Sequence, residues 1–328
     1  MNGPVPVKHV LAVVPSEVGG RAIGAALAGT FGSAAQVTVV ETTDEDKAAL
    51  GRAHVILSGL GPVTADHIAA APALELIQCA SHGFDYVDLA AAHNRRVVVC
   101  NIGTSDAELQ DVAEHAFALM LALAKQLIPA HTALTQADWA LPRLQRFVTE
   151  LHDKTLGIVG LGHIGQEVAR RAVAFDMDIV CTDDPRVALT EVADRLGARR
   201  VELDELLRIS DYISVHTPLT EETRNLIDAE RLALVKPTAF IVNTARGAVI
   251  DQDALADALE AGRIAGAGID VFDPEPPADT LRLLQAPNVV LSPHVGGVTR
   301  ETLVRIAMAA ASNVDRYLAG KPPADVVS

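Results

Sequence analysis

Aromatic residues make up only 3% of this 328-residue chain, which holds one tryptophan and three cysteines. With so few rings, its cores must be built from alanine, valine, leucine and isoleucine. The cysteines, Cys79, Cys100 and Cys181, are scattered and odd in number, which argues against a disulfide framework and suits reduced thiols in the cytosol. Each follows or ends an apolar run, so core packing is their expected role. No Cys/His cluster has metal-ligand spacing, so no metal is expected. Basic charge is scarce as well. The net charge of −15 argues against nucleic acid or an anionic membrane as partner, since both need a basic face. No segment approaches the roughly 20 uncharged apolar residues of a bilayer span; the longest apolar stretch, Ala116 to Ala124, ends at Lys125. The N-terminus lacks the charged start, apolar middle and small-residue cleavage site of a signal peptide, and a cytoplasmic location is expected.

What is present is a globular composition, 49% apolar, on a chain long enough for two domains. Short apolar runs alternate with helical, alanine-rich stretches. The strand candidates are His9–Val14, Val37–Val40, His54–Leu57, Leu76–Cys79, Val97–Cys100, Thr155–Val159, Asp178–Thr182, Tyr212–Val215, Ala239–Asn243, Ala267–Asp270 and Val289–Leu291. Such alternation predicts α/β architecture, with doubly wound parallel sheets covered on both faces. Asp111 to Ile128 reads as one long helix and Thr299 to Leu318 as another. Asp251 to Gly262 reads as a helix with an aspartate cap and a glycine stop.

The most informative stretch is Gly160-Leu-Gly-His-Ile-Gly165, because a strand precedes it and a helix with apolar positions at Val168, Ala169, Ala172 and Val173 follows. In that setting Gly160 permits a tight turn, Gly162 lets backbone approach a pyrophosphate, and Gly165 lets helix pack on strand. The helix N-terminus supplies free N–H groups and partial positive charge. Asp183 ends the next strand 18 residues past Gly165. An acid there can accept both ribose hydroxyls and would repel a 2′-phosphate, so the expected cofactor is NAD rather than NADP. The adjacent Asp184 is an alternative for that role.

Ligands of open parallel sheets sit at the carboxyl ends of strands. Arg246, Asp270, Glu275 and His294 all lie just past predicted strands. Arg246 can hold a carboxylate and polarise a carbonyl through its charged planar fork. Hydride addition to a 2-oxo acid creates an alkoxide that needs a proton, and His294 can supply it or take it back. An ionised Glu275 bonded to the ring would orient the imidazole and favour its protonated form.

With these residues in place, the chain resembles the D-isomer-specific 2-hydroxyacid dehydrogenases, the family of phosphoglycerate dehydrogenase and of glyoxylate and hydroxypyruvate reductases. The resemblance runs through Ser81–Asp85, Val112–His115, Lys154–Gly165, His216–Thr220, Asn243–Gly247, Gly268–Phe272, Glu275-Pro276 and Ser292–Gly297. It implies a flavodoxin-like substrate domain, residues 1–105 and 298–328, and a Rossmann NAD-binding domain, residues 106–297. It implies Arg246, Glu275 and His294 as the catalytic set. His163, Ile164 and Asp183 are expected at the cofactor's pyrophosphate and ribose, beside Gly160, Gly162 and Gly165. Thr217, Thr223, Thr244, Ala245, Arg246, Asp270, His294, Gly296 and Gly297 are expected on its nicotinamide side. Backbone N–H groups of Ser81, His82 and Gly83 are expected to bind the substrate carboxylate, with Arg246 and His294. A homodimer joined through the nucleotide-binding domain, partly by the helix matching Val112 to Ile128, is also implied.

Two departures lie near the expected substrate. His82 stands where a smaller or apolar residue is expected, and the segment Asn101 to Val112 is about two residues longer than the family pattern. Glu114-His115 reads as a structural pair at a helix start, and Trp139 as packing at a domain or subunit boundary. Two rival functions share the fold: an NAD(H)-sensing corepressor-like binding protein with little turnover, and a phosphite-type dehydrogenase. Formate oxidation is disfavoured, because Glu275 sits where that branch needs a neutral glutamine.

Overall fold

Branched aliphatic residues fill the strands of the first unit, residues 1–108 with 298–328; residues 109–297 form the second. The computed structural model describes residues 7–16, 20–59, 61–103, 105–183 and 190–327. In the first unit β1 (Lys8–Val13), β2 (Ala35–Val40), β3 (Val55–Ser58), β4 (Leu76–Cys79) and β5 (Val98–Cys100) make one sheet in the order β2-β1-β3-β4-β5, every pair parallel. This is the flavodoxin-like order. Central strands β3 and β4 are buried at every position, so they carry no polar alternation. Edge strand β2 is partly open along its middle and there tolerates Gln36 and Thr38. Between the strands run α1 (Gly20–Phe31), α2 (Lys47–Arg52), α3 (Ala65–Ala70) and α4 (Leu89–Asn94). Asp46, Thr64 and Asp88 accept backbone N–H groups at the starts of the last three, satisfying donors that a helix leaves orphaned.

The second unit begins with α5 (Leu109–Ala124), α6 (Leu127–Thr135) and α7 (Leu141–Leu144). It continues as β6 (Thr155–Val159), α8 (His163–Ala174), β7 (Asp178–Thr182), α9 (Thr190–Arg195), β8 (Ala198–Arg200), α10 (Leu203–Ile209), β9 (Tyr212–Val215), α11 (Ala229–Leu232), β10 (Phe240–Asn243), α12 (Gln252–Glu260), β11 (Gly266–Ile269) and β12 (Val289–Leu291). Its parallel sheet has the order β12-β11-β10-β9-β6-β7-β8. The order reverses between β6 and β9. That switch point opens a crevice beyond the carboxyl ends of the strands, where dinucleotides bind in doubly wound folds. The chain then returns to the first unit as α13 (Arg300–Leu318), capped by Thr299. Its Ala310, Ala311 and Val314 share a core with Val10, Leu57, Leu76 and Cys100.

The structure corrects the expected single helix from Asp111 to Ile128. It is two helices, α5 and α6, bent by 61°. Gln126 turns left-handed at φ +49, and its buried side chain donates to Leu123 O (3.0 Å) and Asn288 Oδ1 (3.1 Å). A polar side chain with both partners inside the protein outweighs the apolar periodicity that suggested continuity. Strand β8 is an addition to the expected set. All three cysteines are free and buried; burial pushes the Cys79 thiol up to about 12 and that of Cys100 up to about 11. Among the described residues no single helix is long and apolar enough to cross a membrane.

Candidate active site

The glycine turn after β6 is built by close approach. Gly160 has φ +95, and a Cβ there would lie 2.7 Å from His216 O and 2.8 Å from Thr217 N, at the end of β9. A Cβ on Gly165 would collide with the Gly160 carbonyl oxygen. Gly162 instead faces open space, with nothing within 4 Å of a Cβ position. It caps α8, which starts at His163, so the fingerprint itself forms the first helical turn. Gln166 N–H makes the first intrahelical bond, to Gly162 O. The N–H groups before it precede the first intrahelical bond, the kind of donor that a phosphate cradle uses. At the end of β7, Asp183 Oδ2 accepts the Leu161 N–H at 2.6 Å, tying the expected ribose acid to the glycine turn. Asp184 lies outside the described residues.

The ends of β9 and β10 supply three threonines. Thr217 is half-buried. Thr223 folds its own loop, donating from Oγ1 to Pro218 O (2.6 Å) and accepting from Thr220 N (2.7 Å). Among the described residues, Thr244 Oγ1 is the buried side-chain polar atom without a hydrogen-bond partner. An orphaned hydroxyl costs free energy unless a ligand or water satisfies it. Open space over Gly162 and an orphan at Thr244 are what a dinucleotide-binding sheet edge should show.

Arg246 follows β10 on a turn that Asn243 shapes, its amide accepting from Ala245 N (3.0 Å) and donating to Arg246 O (2.9 Å). Arg246 itself is half-buried, and its Nη1 donates to Ala245 O at 2.7 Å. Glu275 and His294 meet: His294 Nδ1 lies 2.7 Å from Glu275 Oε2. The other carboxylate oxygen, Oε1, accepts the Phe272 N–H at 2.9 Å, which fixes the carboxylate's plane. The bond to Glu275 raises the His294 pKa, against burial and the nearby charge of Arg246. Burial works to raise the Glu275 pKa, but the bonds from His294 and Phe272 N–H, helped by the field of Arg246, bring it below the usual range. The pairing with Glu275 thus orients the ring through Nδ1 and favours its protonated form.

Asp270, at the end of β11, is 1% exposed. Its carboxylate accepts from Ser292 Oγ (2.6 Å), Val295 N (3.0 Å) and Gly296 N (2.9 Å). His115 Nε2 lies 3.2 Å from Oδ1. Burial opposes its charge, but these bonds together lower its pKa. Gly296 is thereby buried against Asp270, with Gly297 half-buried beside it. Glu114 and His115 do not act as a couple: Glu114 faces Arg171 at 3.5 Å, and His115 turns to Ser292 and Asp270. Ser292 was visible in sequence only as part of Ser292-Pro-His, with nothing to mark its hydroxyl.

In the first unit, the loop Ser81–Gly83 leaves the carboxyl end of β4. Ser81 Oγ donates to Gly83 O (2.7 Å) and lies 2.9 Å from Tyr86 Oη. His82 Nδ1 lies 2.5 Å from Glu108 Oε1, and Nε2 lies 3.1 Å from Ser105 O. Glu108 Oε1 also accepts the His82 N–H, at 3.3 Å.

A family model described as D-isomer specific 2-hydroxyacid dehydrogenase, NAD binding domain, matches residues 117–296. The chain is 42% identical over 301 residues to the D-3-phosphoglycerate dehydrogenase of Mycobacterium bovis, covering 91% of this chain and 56% of that one; it thus spans little more than half of that relative's length. It is 43% identical over 248 residues to the hydroxypyruvate reductase of Thermotoga maritima, covering 75% of this chain and 78% of that one. The NAD-dependent formate dehydrogenase of Staphylococcus aureus, solved with NAD, superposes with a TM-score of 0.87 at 30% identity, over 98% of this chain and 99% of that one. The glycine turn, the acid beyond β7 and the orphaned Thr244 fit the NAD that the family model's description and the formate dehydrogenase structure name, and the chain belongs to the D-isomer specific 2-hydroxyacid dehydrogenases, with NAD as its cofactor.

Proposed function

We propose that this chain interconverts a small 2-oxo acid and its D-2-hydroxy acid. Held at the glycine turn, a nicotinamide cofactor would supply the hydride for reduction of the carbonyl and accept it in the reverse direction. The protein's own residues handle the rest. Arg246 holds the substrate carboxylate and polarises the carbonyl with its planar fork. His294 Nε2 gives its proton to the carbonyl oxygen as negative charge develops there, and takes one back in oxidation. Glu275 orients the ring and compensates its charge. The observation that carries this reading is the 2.7 Å bond between His294 and Glu275, within reach of the Arg246 field that shifts both groups.

The same observation weighs against formate as substrate. Formate oxidation releases carbon dioxide and a hydride but no proton, so a carboxylate-backed imidazolium would have no task there. The corepressor-like reading finds no support in relatives whose names are those of dehydrogenases and reductases. NADH oxidation followed across glyoxylate, hydroxypyruvate, 3-phosphohydroxypyruvate and branched 2-oxo acids, repeated with NADPH, tests the proposal. Turnover of at least one acid, with NADH preferred, is expected; silence across the panel would return the binding-protein reading.

We also propose a homodimer joined through the second unit. Leu127, Ile128, Leu134, Trp139, Leu141 and Phe147 are each more than half exposed, an apolar concentration of the kind that marks an interaction surface. The family resemblance placed this contact partly on the helix before Ile128. Most of α5 is instead core, so the exposed apolar surface belongs to α6, α7 and the chain after them.

A further inference from the structure

His294 carries a side chain, yet it sits at φ +53, a left-handed conformation that residues with a Cβ seldom adopt. Three consecutive N–H groups hold it there, and all three end on one residue. His294 N donates to the main-chain oxygen of Asp270 at 2.7 Å, Val295 N to Asp270 Oδ1 at 3.0 Å, and Gly296 N to Asp270 Oδ2 at 2.9 Å. Two of the three bonds, those of the residues following His294, thus depend on the rotation of one buried carboxylate.

Two side chains set that rotation. Ser292 Oγ donates its proton to Asp270 Oδ1 at 2.6 Å. With that proton committed, the serine oxygen is an acceptor, and His115 Nε2 lies 2.8 Å from it and 3.2 Å from Oδ1. The imidazole of His115 therefore donates from Nε2 into the serine–aspartate pair, from a helix 177 residues away in sequence. Packing leaves no slack around this contact. A Cβ on Gly296 would lie 2.9 Å from Asp270 Oδ2 and 3.3 Å from the His115 ring.

We propose that His115 is a positioning residue for the His294 acid/base, acting through Ser292 and Asp270. The proposal rests on the reading of His294 as the proton donor. The charge-assisted bonds at a buried carboxylate are the strong kind, and losing one donor leaves the acceptor under-satisfied. His115→Leu removes the donor at similar bulk. His115→Gln returns an N–H near the position of Nε2. Ser292→Ala breaks the relay with His115 left in place.

The test measures kcat and KM for the best 2-oxo acid at saturating NADH, NADH affinity by fluorescence, and the titration of the His294 ring by NMR. His115→Leu should lower kcat about tenfold or more, with NADH affinity and thermal unfolding near wild type, and His115→Gln should recover most of that loss. The raised His294 titration should fall toward the ordinary 6.5 in His115→Leu and not in His115→Gln. Ser292→Ala should match the leucine variant, and it decides the matter if that variant does not fold. A folded leucine variant with kcat within twofold of wild type, or with His294 titrating unchanged, would overturn the proposal. If the wild type reduces no acid in the panel, the functional reading fails by itself, and the NMR titration alone decides whether His115 positions His294.

Discussion

His82 and Glu108 are joined at 2.5 Å, ring Nδ1 to carboxylate Oε1, on side chains that are 19% and 15% exposed. His82 lies in the loop after β4 and Glu108 in the segment before α5, the two places where a departure from the family pattern is expected from the sequence. The bond ties those two places together. The segment before α5 delivers a carboxylate and the Ser105 carbonyl to the histidine that the loop carries.

This pair should make stability depend on pH. Burial opposes charge on His82, but the bond and field of Glu108 outweigh it and raise its pKa above 6.5. A histidine whose folded pKa is raised contributes stability that is fully present below about pH 6.5 and is lost as pH rises through the folded value. Glu108→Gln should therefore cost about 1–3 kcal/mol at pH 6 and distinctly less at pH 9. Urea unfolding at the two pH values reads this directly; an equal loss at both would show that charge on His82 is not what the pair stabilises.

The raised pKa of His294 fixes the direction of the rate profiles. Reduction needs the protonated ring, so kcat/KM for the 2-oxo acid should hold through pH 6.5 and fall only as pH passes the raised value. Oxidation of the hydroxy acid should rise through the same range. Glu275→Gln removes the largest cause of the shift and should move both limbs to lower pH. Parallel profiles in the two directions would rule out His294 as the shuttle.

Arg246→Lys keeps a positive charge and loses the fork. Bidentate geometry is what a carboxylate and a carbonyl exploit together, so kcat/KM should fall by about 10²-fold or more, roughly 3 kcal/mol. NADH affinity, measured by fluorescence quenching, should stay within about threefold, since the glycine turn and Asp183 are untouched. A lysine variant with near-normal kcat/KM would mean that charge alone suffices at this position.

The exposed apolar surface of the second unit should be covered in solution. Sedimentation equilibrium at micromolar concentration should give twice the chain mass, and Leu134→Asp with Phe147→Asp should give monomers that remain folded. A wild-type chain that sediments as a monomer would remove the homodimer.

Much of the second unit was legible before any coordinates. Thr155–Val159, Asp178–Thr182, Tyr212–Val215 and Val289–Leu291 are strands with the bounds their apolar runs suggest. They are short apolar runs bounded by turn chemistry, so local composition suffices even for Val289–Leu291, which is only partly buried at the sheet edge. The helix after the fingerprint was read three residues late, because glycines within a first helical turn look like loop until the cap at Gly162 is seen. The break at Gln126 was missed because α5 and α6 share one apolar pattern, and its cause is a side-chain bond to Asn288, 162 residues away.

The sequence by itself determined the alternation of strands and helices, the phosphate-facing glycine turn, and the placing of Arg246, Glu275 and His294 just past strands. These are properties of neighbours along the chain. Tertiary structure gave the expected pair of Glu275 and His294 its 2.7 Å bond, and it alone decided that Asp270 gathers the N–H groups of three successive residues and that His115 reaches Ser292. The reason is that a hydrogen bond is set by distance and angle between atoms, and the partner that satisfies a buried polar group is chosen by packing, which no local pattern encodes.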